Sequence, residues 1–378
     1  MEQLSTIASE RIDLIEKCVL PGRRPRQLGC NARVSVHGNI VRDQVVRVRT
    51  SGGGMGIGWS RIAAEQAAGL VGRKVGELFS LPEGTNQAGR PIDLPLWDLC
   101  ARLAGLPLYR LLGPRGSREV EVYDGSIYID DLELGDAGAR ELYARQVQSG
   151  WDAGYRNFKI KVGRGARWMP PAEGLARDAL VIRTVREAAG PDAKILIDAN
   201  MGNTLNTARE LLAETADARL YWFEEPFAED LPLNRALKEF IVENGWDTLV
   251  ADGEFQPPPC FFDLVEAGWI DVVQQDFHQY GLTWWRAVSA RLEGCAARCA
   301  PHTWGSYVER FTHAHFAASI PNFDLLEAEP AELPGLMADD WKMDGGRLFV
   351  PDTPGAGFDI EEAVWNRAVK EGGFSLRA

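Results

Sequence analysis

Short apolar strands alternate with amphipathic helices through the middle of the chain. Helical segments such as LARDALVIRTVREAAG separate the strands. The predicted strands are 120–124, 157–162, 194–198, 220–224, 248–252, 271–275, 298–301 and 324–327. Eight such strand–helix units are typical of a parallel barrel, whereas a doubly wound sheet has fewer units. The pattern therefore predicts an α/β protein built on a (β/α)8 TIM-type barrel.

The segments before and after this repeat have a different periodicity. Residues 1–50 alternate apolar and polar positions, which predicts a small antiparallel sheet with one solvated face. From Arg61 to Leu112 the period becomes helical, and residues 340–378 return to strand and turn. We therefore predict an α+β domain over 1–115, a barrel over 116–335 and a C-terminal segment, 336–378, that returns to the first domain.

Two stretches of the first region are rich in Gly, Pro or Arg. The stretch PGRRPRQLGCNARVSVHGN predicts a mobile loop between two strands. As a lid it would bring Arg23, Arg24, Arg26 or Arg33 to an acidic substrate, and a solvated basic loop is the alternative. The segment TSGGGMGIGWS has glycine spacings like those of phosphate loops but lacks their Lys-Ser/Thr pair. We interpret it as a flexible hairpin connection.

Three successive predicted strands end in carboxylates. KILIDAN carries Asp198, YWFEEP carries Glu224 and DTLVADGEF carries Glu254. Neighbouring parallel strands would bring these three side chains together at their carboxyl ends. Converging carboxylates repel one another unless a divalent cation holds them, and an all-oxygen set favours Mg²⁺ over zinc or copper. The pattern therefore predicts a magnesium site.

The second predicted barrel strand, NFKIKVG, carries Lys159 and Lys161 two residues apart. Side chains at this spacing project to the same side of a strand. A lysine is a useful base only if its pKa falls from about 10.4, and a second cation together with the metal would lower it. We predict a lysine base in the barrel mouth, with a solvent-facing pair as the alternative.

A second acid/base group is predicted at the ends of the sixth and seventh strands. Asp276 follows the sixth strand and His302 the seventh, so the two can hydrogen-bond and fix the imidazole tautomer. His278, two residues past Asp276, is a minor candidate. The other histidines are interpreted as structural: His37, His313 and His315.

Further pocket candidates follow from their positions at strand ends and in the first loop. Glu327 ends the eighth strand and, when protonated, would donate a hydrogen bond to a substrate carboxylate; an exposed glutamate is the alternative. The candidate substrate-binding residues are Arg24, Tyr128, Asn200 and Trp304.

The overall charge limits the partners of the chain. A net charge of −13 argues against nucleic acid and anionic membranes, since both favour basic surfaces. A small anionic substrate remains compatible because a local metal and lysines can outweigh the global field. The six cysteines are scattered without zinc-site spacing, and the chain has no signal-peptide pattern or long apolar run. A reduced, cytoplasmic protein is therefore expected.

The ordered motifs resemble the enolase superfamily and, within it, the mandelate racemase subgroup. KIK, DAN, EEP, DGE, QQD and PHTWG stand in family order, and PLWDLCARLAGLPLYRLLG is similar to the last helix of the family's capping domain. The resemblance implies that residues 1–115 form this capping domain and that each subunit binds one Mg²⁺. It also implies the roles of Asp198, Glu224 and Glu254 as ligands, Lys161 as base beside Lys159, Asp276 and His302 as the opposite dyad, and Glu327 as electrophilic acid.

The resemblance also implies a reaction, in which the proton α to a carboxylate is removed through an enediolate. Dehydration of an aldonic or aldaric acid sugar to a 2-keto-3-deoxy acid is expected. The alternatives are a racemase or epimerase of an α-hydroxy acid and a non-catalytic metal-binding barrel; a muconate-type cycloisomerase would need lysine at Asp276. Barrels of this family often assemble, which implies a homo-oligomer. The spacing from Glu224 to Glu254 is longer than the family pattern, so Asp252 is a rival third ligand.

Overall fold

An antiparallel sheet joins the two ends of the chain. The computed structural model describes residues 7–378, and the predicted sheet residues 1–6 lie outside this range. Strands Ile12–Leu28 and Gly38–Thr50 form a long hairpin, and Met55–Trp59 pairs with the second of them. The last strand, Phe374–Arg377, pairs with the first. The end of the chain therefore completes the sheet begun near its start.

The arginine-rich stretch is mostly strand, so the prediction of a mobile loop was wrong. The first strand continues through it, and only residues 29–37 form an irregular turn. Arg24 pairs with the barrel residue Glu329, and Arg26 donates hydrogen bonds to the carbonyl oxygen (2.6 Å) and Oγ (2.8 Å) of Ser126. These tertiary partners outweigh the local Pro and Gly signals.

The helical region of the first domain is divided into short pieces. Its helices are Ala64–Ala68, Asp93–Leu103 and Leu108–Leu112, and a small hairpin pairs Phe79–Ser80 with Gly84–Thr85. The second helix packs directly on strand Met55–Trp59. A Cβ atom added at Gly56 would lie 2.2 Å from the carbonyl oxygen of Pro95, so glycine permits this close approach.

Eight parallel strands close into a barrel, which confirms the predicted fold class. Neighbouring strands pair in sequence order, the eighth pairs with the first, and a bridge between Cys299 and Phe323 joins the seventh to the eighth. The barrel strands are Glu119–Ile127, Phe158–Lys161, Ile195–Asp198, Trp222–Glu224, Leu249–Asp252, Val272–Val273, Arg298–Cys299 and Leu326–Glu327. The carboxyl ends of all eight strands therefore meet at one mouth.

The barrel interior below this mouth is a packed apolar core. Its buried side chains form one cluster: Tyr123, Leu196, Trp222, Ala251, Val272, Ala300 and Leu325. The surrounding helices are Asp136–Asp152, Pro171–Ala189, Leu205–Glu214, Leu231–Glu243, Phe261–Glu266, Phe277–Leu292 and Glu309–Ala317. After the barrel come strands Leu336–Met337, Lys342–Asp344, Arg347–Phe349 and Asp359–Ile360 and helix Glu362–Gly372. Between residues 7 and 378 no helix has the length and apolar character needed to cross a bilayer.

The long hairpin is fastened to the barrel by Asp43. Its carboxylate accepts hydrogen bonds from the hydroxyl of Ser306 (2.6 Å) and from the backbone N–H groups of Tyr307 (3.0 Å) and Val308 (3.3 Å). These donors directly precede helix Glu309–Ala317. A residue of the hairpin therefore caps a barrel helix next to the loop that carries His302.

We expect Asp43→Ala to lower the free energy of unfolding by about 1–3 kcal/mol, because it leaves buried donors unpaired. Urea denaturation followed by circular dichroism would measure this change. The exposed Asp339 offers a control, since Asp339→Ala is expected to change stability by no more than about 0.5 kcal/mol. Equal stability of the two variants would contradict a capping role for Asp43.

Candidate active site

Three carboxylates converge at the mouth of the barrel. Asp198 and Glu224 end the third and fourth strands, and Glu254 stands two residues beyond the fifth. All three are buried, and one oxygen from each lies within 4.8 Å of the others. The structure therefore brings together the three residues that the sequence predicts as metal ligands.

The chemistry of this carboxylate triad fits a divalent cation. Burial raises the pKa of Glu224 well above its usual value and that of Glu254 to about 7. Glu254 Oε1 is buried and has no hydrogen-bond partner among the described residues. Buried carboxylates held this close are unfavourable unless positive charge compensates them, and hard oxygen ligands suit Mg²⁺. Asp198, Glu224 and Glu254 could therefore hold one magnesium ion.

Asp252, the rival ligand, lies outside the triad. One of its oxygens accepts a hydrogen bond from the N–H of Gly253 at 2.8 Å, and the other is buried without a partner among the described residues. Burial, and after it the charges of Glu229 and Glu225, raise the pKa of Asp252 well above its usual value. The geometry favours Glu254 as the third ligand.

The two lysines of the second strand lie against the triad. Lys159 Nζ is 2.6 Å from Glu224 and 3.2 Å from Glu327, and Lys161 Nζ contacts Asp198. Burial lowers the pKa of each lysine, but the carboxylates outweigh it and raise both values, the reverse of the predicted direction. A cation bound by the same carboxylates would weaken this effect, because it would offset their negative charge.

On another side of the triad, Asp276 and His302 form a hydrogen-bonded dyad. The N–H at His302 Nδ1 donates to Asp276 Oδ1 at 2.6 Å, and the backbone N–H of Phe255 donates to Oδ2 at 2.9 Å. His302 Nε2 lies 3.5 Å from Glu254 and 3.7 Å from Glu327. Burial lowers the pKa of His302, but Glu254, Glu327 and the hydrogen bond to Asp276 outweigh it and raise the pKa well above its usual value. Nε2, the ring nitrogen of His302 that is not hydrogen-bonded to Asp276, therefore faces Glu254 and Glu327.

Glu327 is buried between the two acid/base groups. Its Oε2 accepts a hydrogen bond from the N–H of Thr303 at 3.1 Å, and its Oε1 faces Lys159. Burial raises the pKa of Glu327, but Lys159 and His302 outweigh it and lower the value to about 2. This lowered pKa favours the carboxylate form of Glu327, whereas the donor role predicted from the sequence requires the protonated form. The prediction did not take into account the positive charges of Lys159 and His302, which lower the pKa of Glu327.

Of the candidate substrate-binding residues, Tyr128, Trp304 and Arg24 lie together near Lys161. The rings of Tyr128 and Trp304 stack with centroids 5.5 Å apart, and Lys161 Nζ is 5.5 Å from the Tyr128 centroid. Arg24 lies 5.0 Å from the Trp304 centroid. Its guanidinium is buried and paired with Glu329, so it supports the pocket wall and is not free for substrate.

Asn200 hydrogen-bonds to Asp198 of the triad and to Glu225. Its backbone N–H donates to Asp198 Oδ1 at 2.8 Å, and its side-chain Nδ2 donates to Glu225 Oε2 at 3.0 Å. The residue has a left-handed φ of 44°, which asparagine tolerates better than most residues. These contacts differ from the predicted role in the substrate pocket.

Sequence reasoning missed two contacts made by histidines. His37, interpreted as structural, lies at the end of the hairpin turn with its ring 4.7 Å from that of Tyr128. His278, a minor candidate, lies 3.8 Å from Asp276 and 3.4 Å from Glu309. The spacing of His278 from Asp276 was a usable signal. Neither Tyr128 nor Glu309 could be paired with a histidine from sequence, because these contacts depend on tertiary packing.

A protein-family model described as "Enolase C-terminal domain-like" matches residues 142–364 of the chain. The chain is also similar to the D-galactarolactone cycloisomerase of Agrobacterium fabrum, with 29% identity over 71% of this chain and 70% of that protein.

The crystal structures that match nearly the whole chain include two from Geobacillus species. The galacturonate dehydratase of a Geobacillus species, complexed with D-galacturonate and 5-keto-4-deoxy-D-galacturonate, shares 34% identity and superposes with a TM-score of 0.93. The match covers 97% of this chain and 99% of that one. A mandelate racemase/muconate lactonizing protein from Geobacillus sp. Y412MC10, complexed with magnesium and tartrate, shares 33% identity and has a TM-score of 0.95. That match covers 98% of each chain.

Proposed function

The chain belongs to the enolase C-terminal domain-like family, and we propose that it is a Mg²⁺-dependent dehydratase of an acid sugar. The observation that carries the proposal is the placement of two acid/base groups around one carboxylate triad. Lys161 contacts Asp198, while His302 Nε2 lies 3.5 Å from Glu254. Dehydration needs a base for the α proton and an acid for the departing hydroxyl, and these residues supply one of each.

The proposed reaction divides the proton transfers between the two groups. Magnesium, when bound by the triad, supplies positive charge for the substrate carboxylate and for the negative charge that develops there. Lys161 accepts the α proton, and Lys159 keeps a second positive charge beside it. His302 donates the proton from Nε2 to the β-hydroxyl, which leaves as water. The resulting enol tautomerises to the keto acid, and solvent restores the protonation of Lys161 and His302.

The proposed substrate is a small sugar acid with a hydroxyl β to its carboxylate. Support comes from the Geobacillus dehydratase, which was crystallised with D-galacturonate and 5-keto-4-deoxy-D-galacturonate. Aldonic and aldaric acids would give a 2-keto-3-deoxy acid, and a hexuronate would give the corresponding 5-keto-4-deoxy acid. The substrate panel should therefore include hexuronates beside the two classes expected from sequence.

Incubation of the Mg²⁺-loaded protein with aldonic acids, aldaric acids and hexuronates would test the proposal. Mass spectrometry and NMR of the products are expected to show the loss of one water and a new keto group. A product that keeps its water and has inverted configuration would instead indicate a racemase or epimerase. Absence of any reaction, despite magnesium binding, would indicate a non-catalytic metal-binding barrel.

Two further expectations belong to the same proposal. We expect a cytoplasmic location. The six cysteines are free thiols in the described part of the chain, and thiols stay reduced in the cytoplasm. A homo-oligomer is expected from the family resemblance. Cell fractionation and light scattering coupled to size-exclusion chromatography would test these two points.

A further inference from the structure

Glu309 is a buried carboxylate without a hydrogen-bond partner. It is the first residue of helix Glu309–Ala317 and is 1% exposed. Neither Oε1 nor Oε2 has a hydrogen-bond partner among the described residues. A buried carboxylate left unpaired is strongly unfavourable, because it loses its hydration, and it therefore requires a neighbouring donor or a proton.

His278 is placed to satisfy Glu309. Its Nδ1 lies 3.4 Å from Glu309 Oε2. The other charged groups acting on this carboxylate, Asp43 and Asp276, are acids and cannot donate to it when ionised. The ring of His278 packs against Trp59 of the first domain, with centroids 4.9 Å apart. This contact fixes the side of the helix on which the imidazole lies.

The opposite nitrogen of His278 faces the catalytic dyad. Nε2 lies 3.8 Å from Asp276 Oδ1, the same oxygen that accepts the hydrogen bond from His302. The imidazole thus stands between two buried carboxylates, and one of these belongs to the dyad. A continuous series of side chains connects Glu309 to the reacting nitrogen of His302.

We infer that Glu309 and His278 are positioning residues for His302, and that the series Glu309, His278 and Asp276 holds the His302 imidazole in its orientation. The inference rests on the proposed dehydration and deepens it. Neither Glu309 nor His278 touches the reacting atoms. Their effect on the reaction passes through Asp276.

The tautomer of His278 explains the effect. Nδ1 of His278, like both oxygens of Glu309, has no hydrogen-bond partner among the described residues, and it faces Glu309 Oε2 at 3.4 Å. In the tautomer with its hydrogen on Nε2, the imidazole offers Nδ1 to Glu309 and an N–H to Asp276. The remaining tautomer would direct a nitrogen lone pair at Asp276, which is repulsive. An N–H beside Asp276 Oδ1 holds this oxygen in place for its hydrogen bond with His302, and so keeps His302 Nε2 turned toward the carboxylate triad.

His278 also lines a cavity beside the first domain. A cavity of about 560 Å³ separates parts of the first domain from the start of helix Phe277–Leu292. Its lining includes His278, Trp59, Arg61, Arg90, Asp93 and Tyr280. The charged groups around the imidazole are therefore Asp276 and Glu309 at its nitrogens, and Arg61, Arg90 and Asp93 along the cavity.

Matched pairs of variants at the two positions test the inference. His278→Phe keeps a ring against Trp59 but removes the donor, and Glu309→Leu removes the group that fixes the tautomer. Both are expected to lower kcat for dehydration by about 10–100-fold with little change in KM. Exchange of the α proton with deuterium oxide should continue, so the ratio of exchange to dehydration should rise. His278→Gln and Glu309→Gln each place a side-chain N–H at the substituted position. Each should therefore dehydrate faster than His278→Phe and Glu309→Leu, respectively.

The exposed neighbour Gln279 offers a control on the same helix, and Gln279→Ala should behave as wild type. Equal loss of exchange and dehydration in His278→Phe and Glu309→Leu would overturn the inference, as would wild-type rates in both. An unchanged ratio in folded variants excludes an effect through the dyad. If the wild type dehydrates no acid at all, the proposed function fails instead.

Nitrogen NMR of the Mg²⁺-loaded, ¹⁵N-histidine-labelled protein tests the same inference without turnover. The wild type should show a protonated Nε2 at His278, and Glu309→Leu should change the signals of both His278 and His302. Unchanged signals at both histidines would overturn the inference independently of the substrate.

Discussion

Lys161→Ala is expected to lower kcat for dehydration by about 10²–10⁴-fold, the range that a positioned general base contributes. The variant should also stop exchange of the substrate α proton with deuterium oxide, because the remaining lysine, Lys159, is paired with Glu224 at 2.6 Å and lies farther from Asp198, at 3.6 Å. The lysine side chain is buried against this carboxylate, so alanine leaves no proton acceptor at that position. Proton NMR in deuterium oxide and assay of the keto product would measure both effects.

A lysine at the opposite end of a barrel strand provides a control for Lys161→Ala. Lys194 precedes the third strand and pairs with Glu121, away from the carboxyl ends of the strands. Lys194→Ala should therefore keep nearly the wild-type rate. Lys161→Ala with a rate within about tenfold of wild type, and with exchange intact, would rule out Lys161 as the base.

Removal of magnesium is expected to abolish dehydration and to destabilise the protein. Three buried carboxylates lie within 4.8 Å of one another, and bound magnesium offsets their mutual repulsion. A ligand at 100 times its Kd stabilises the folded state by about 2.7 kcal/mol. Thermal denaturation with EDTA, and again after magnesium is restored, would measure the loss and recovery of stability.

Calorimetric titration of magnesium would identify the third ligand. Glu254→Gln removes one charged ligand and is expected to weaken binding at least about tenfold, or 1.4 kcal/mol. Asp252→Asn should change the affinity much less, because Asp252 lies outside the triad. Stronger weakening in Asp252→Asn than in Glu254→Gln would assign the third ligand to Asp252.

The barrel and the positions of its mouth residues could be predicted because their signals are local. Asp198 and Glu224 each follow an apolar run, and the alternation of side chains along a strand fixes the common direction of Lys159 and Lys161. Once the strands are parallel neighbours, their carboxyl ends must meet. Chain order alone then brings these side chains to one mouth.

The remaining features depend on partners far apart in sequence. Arg24 lies in a strand because Glu329 of the barrel pairs with it, which no local pattern reveals. The raised pKa of Lys161 and the lowered pKa of Glu327 follow from the mutual distances of buried charges. Asp43 caps a barrel helix across the domain boundary for the same reason. Such contacts form only when the antiparallel sheet of the first domain packs on the barrel.

Lys161 and His302 are proposed to carry different proton transfers, and a variant of His302 separates the two steps. Proton NMR in deuterium oxide would compare wild type with His302→Asn on an acid that the wild type dehydrates, with magnesium present. We expect His302→Asn to exchange the α proton still but to form keto product at least about 100-fold more slowly. Dehydration at the wild-type rate, or loss of exchange together with dehydration as in Lys161→Ala, would contradict this assignment.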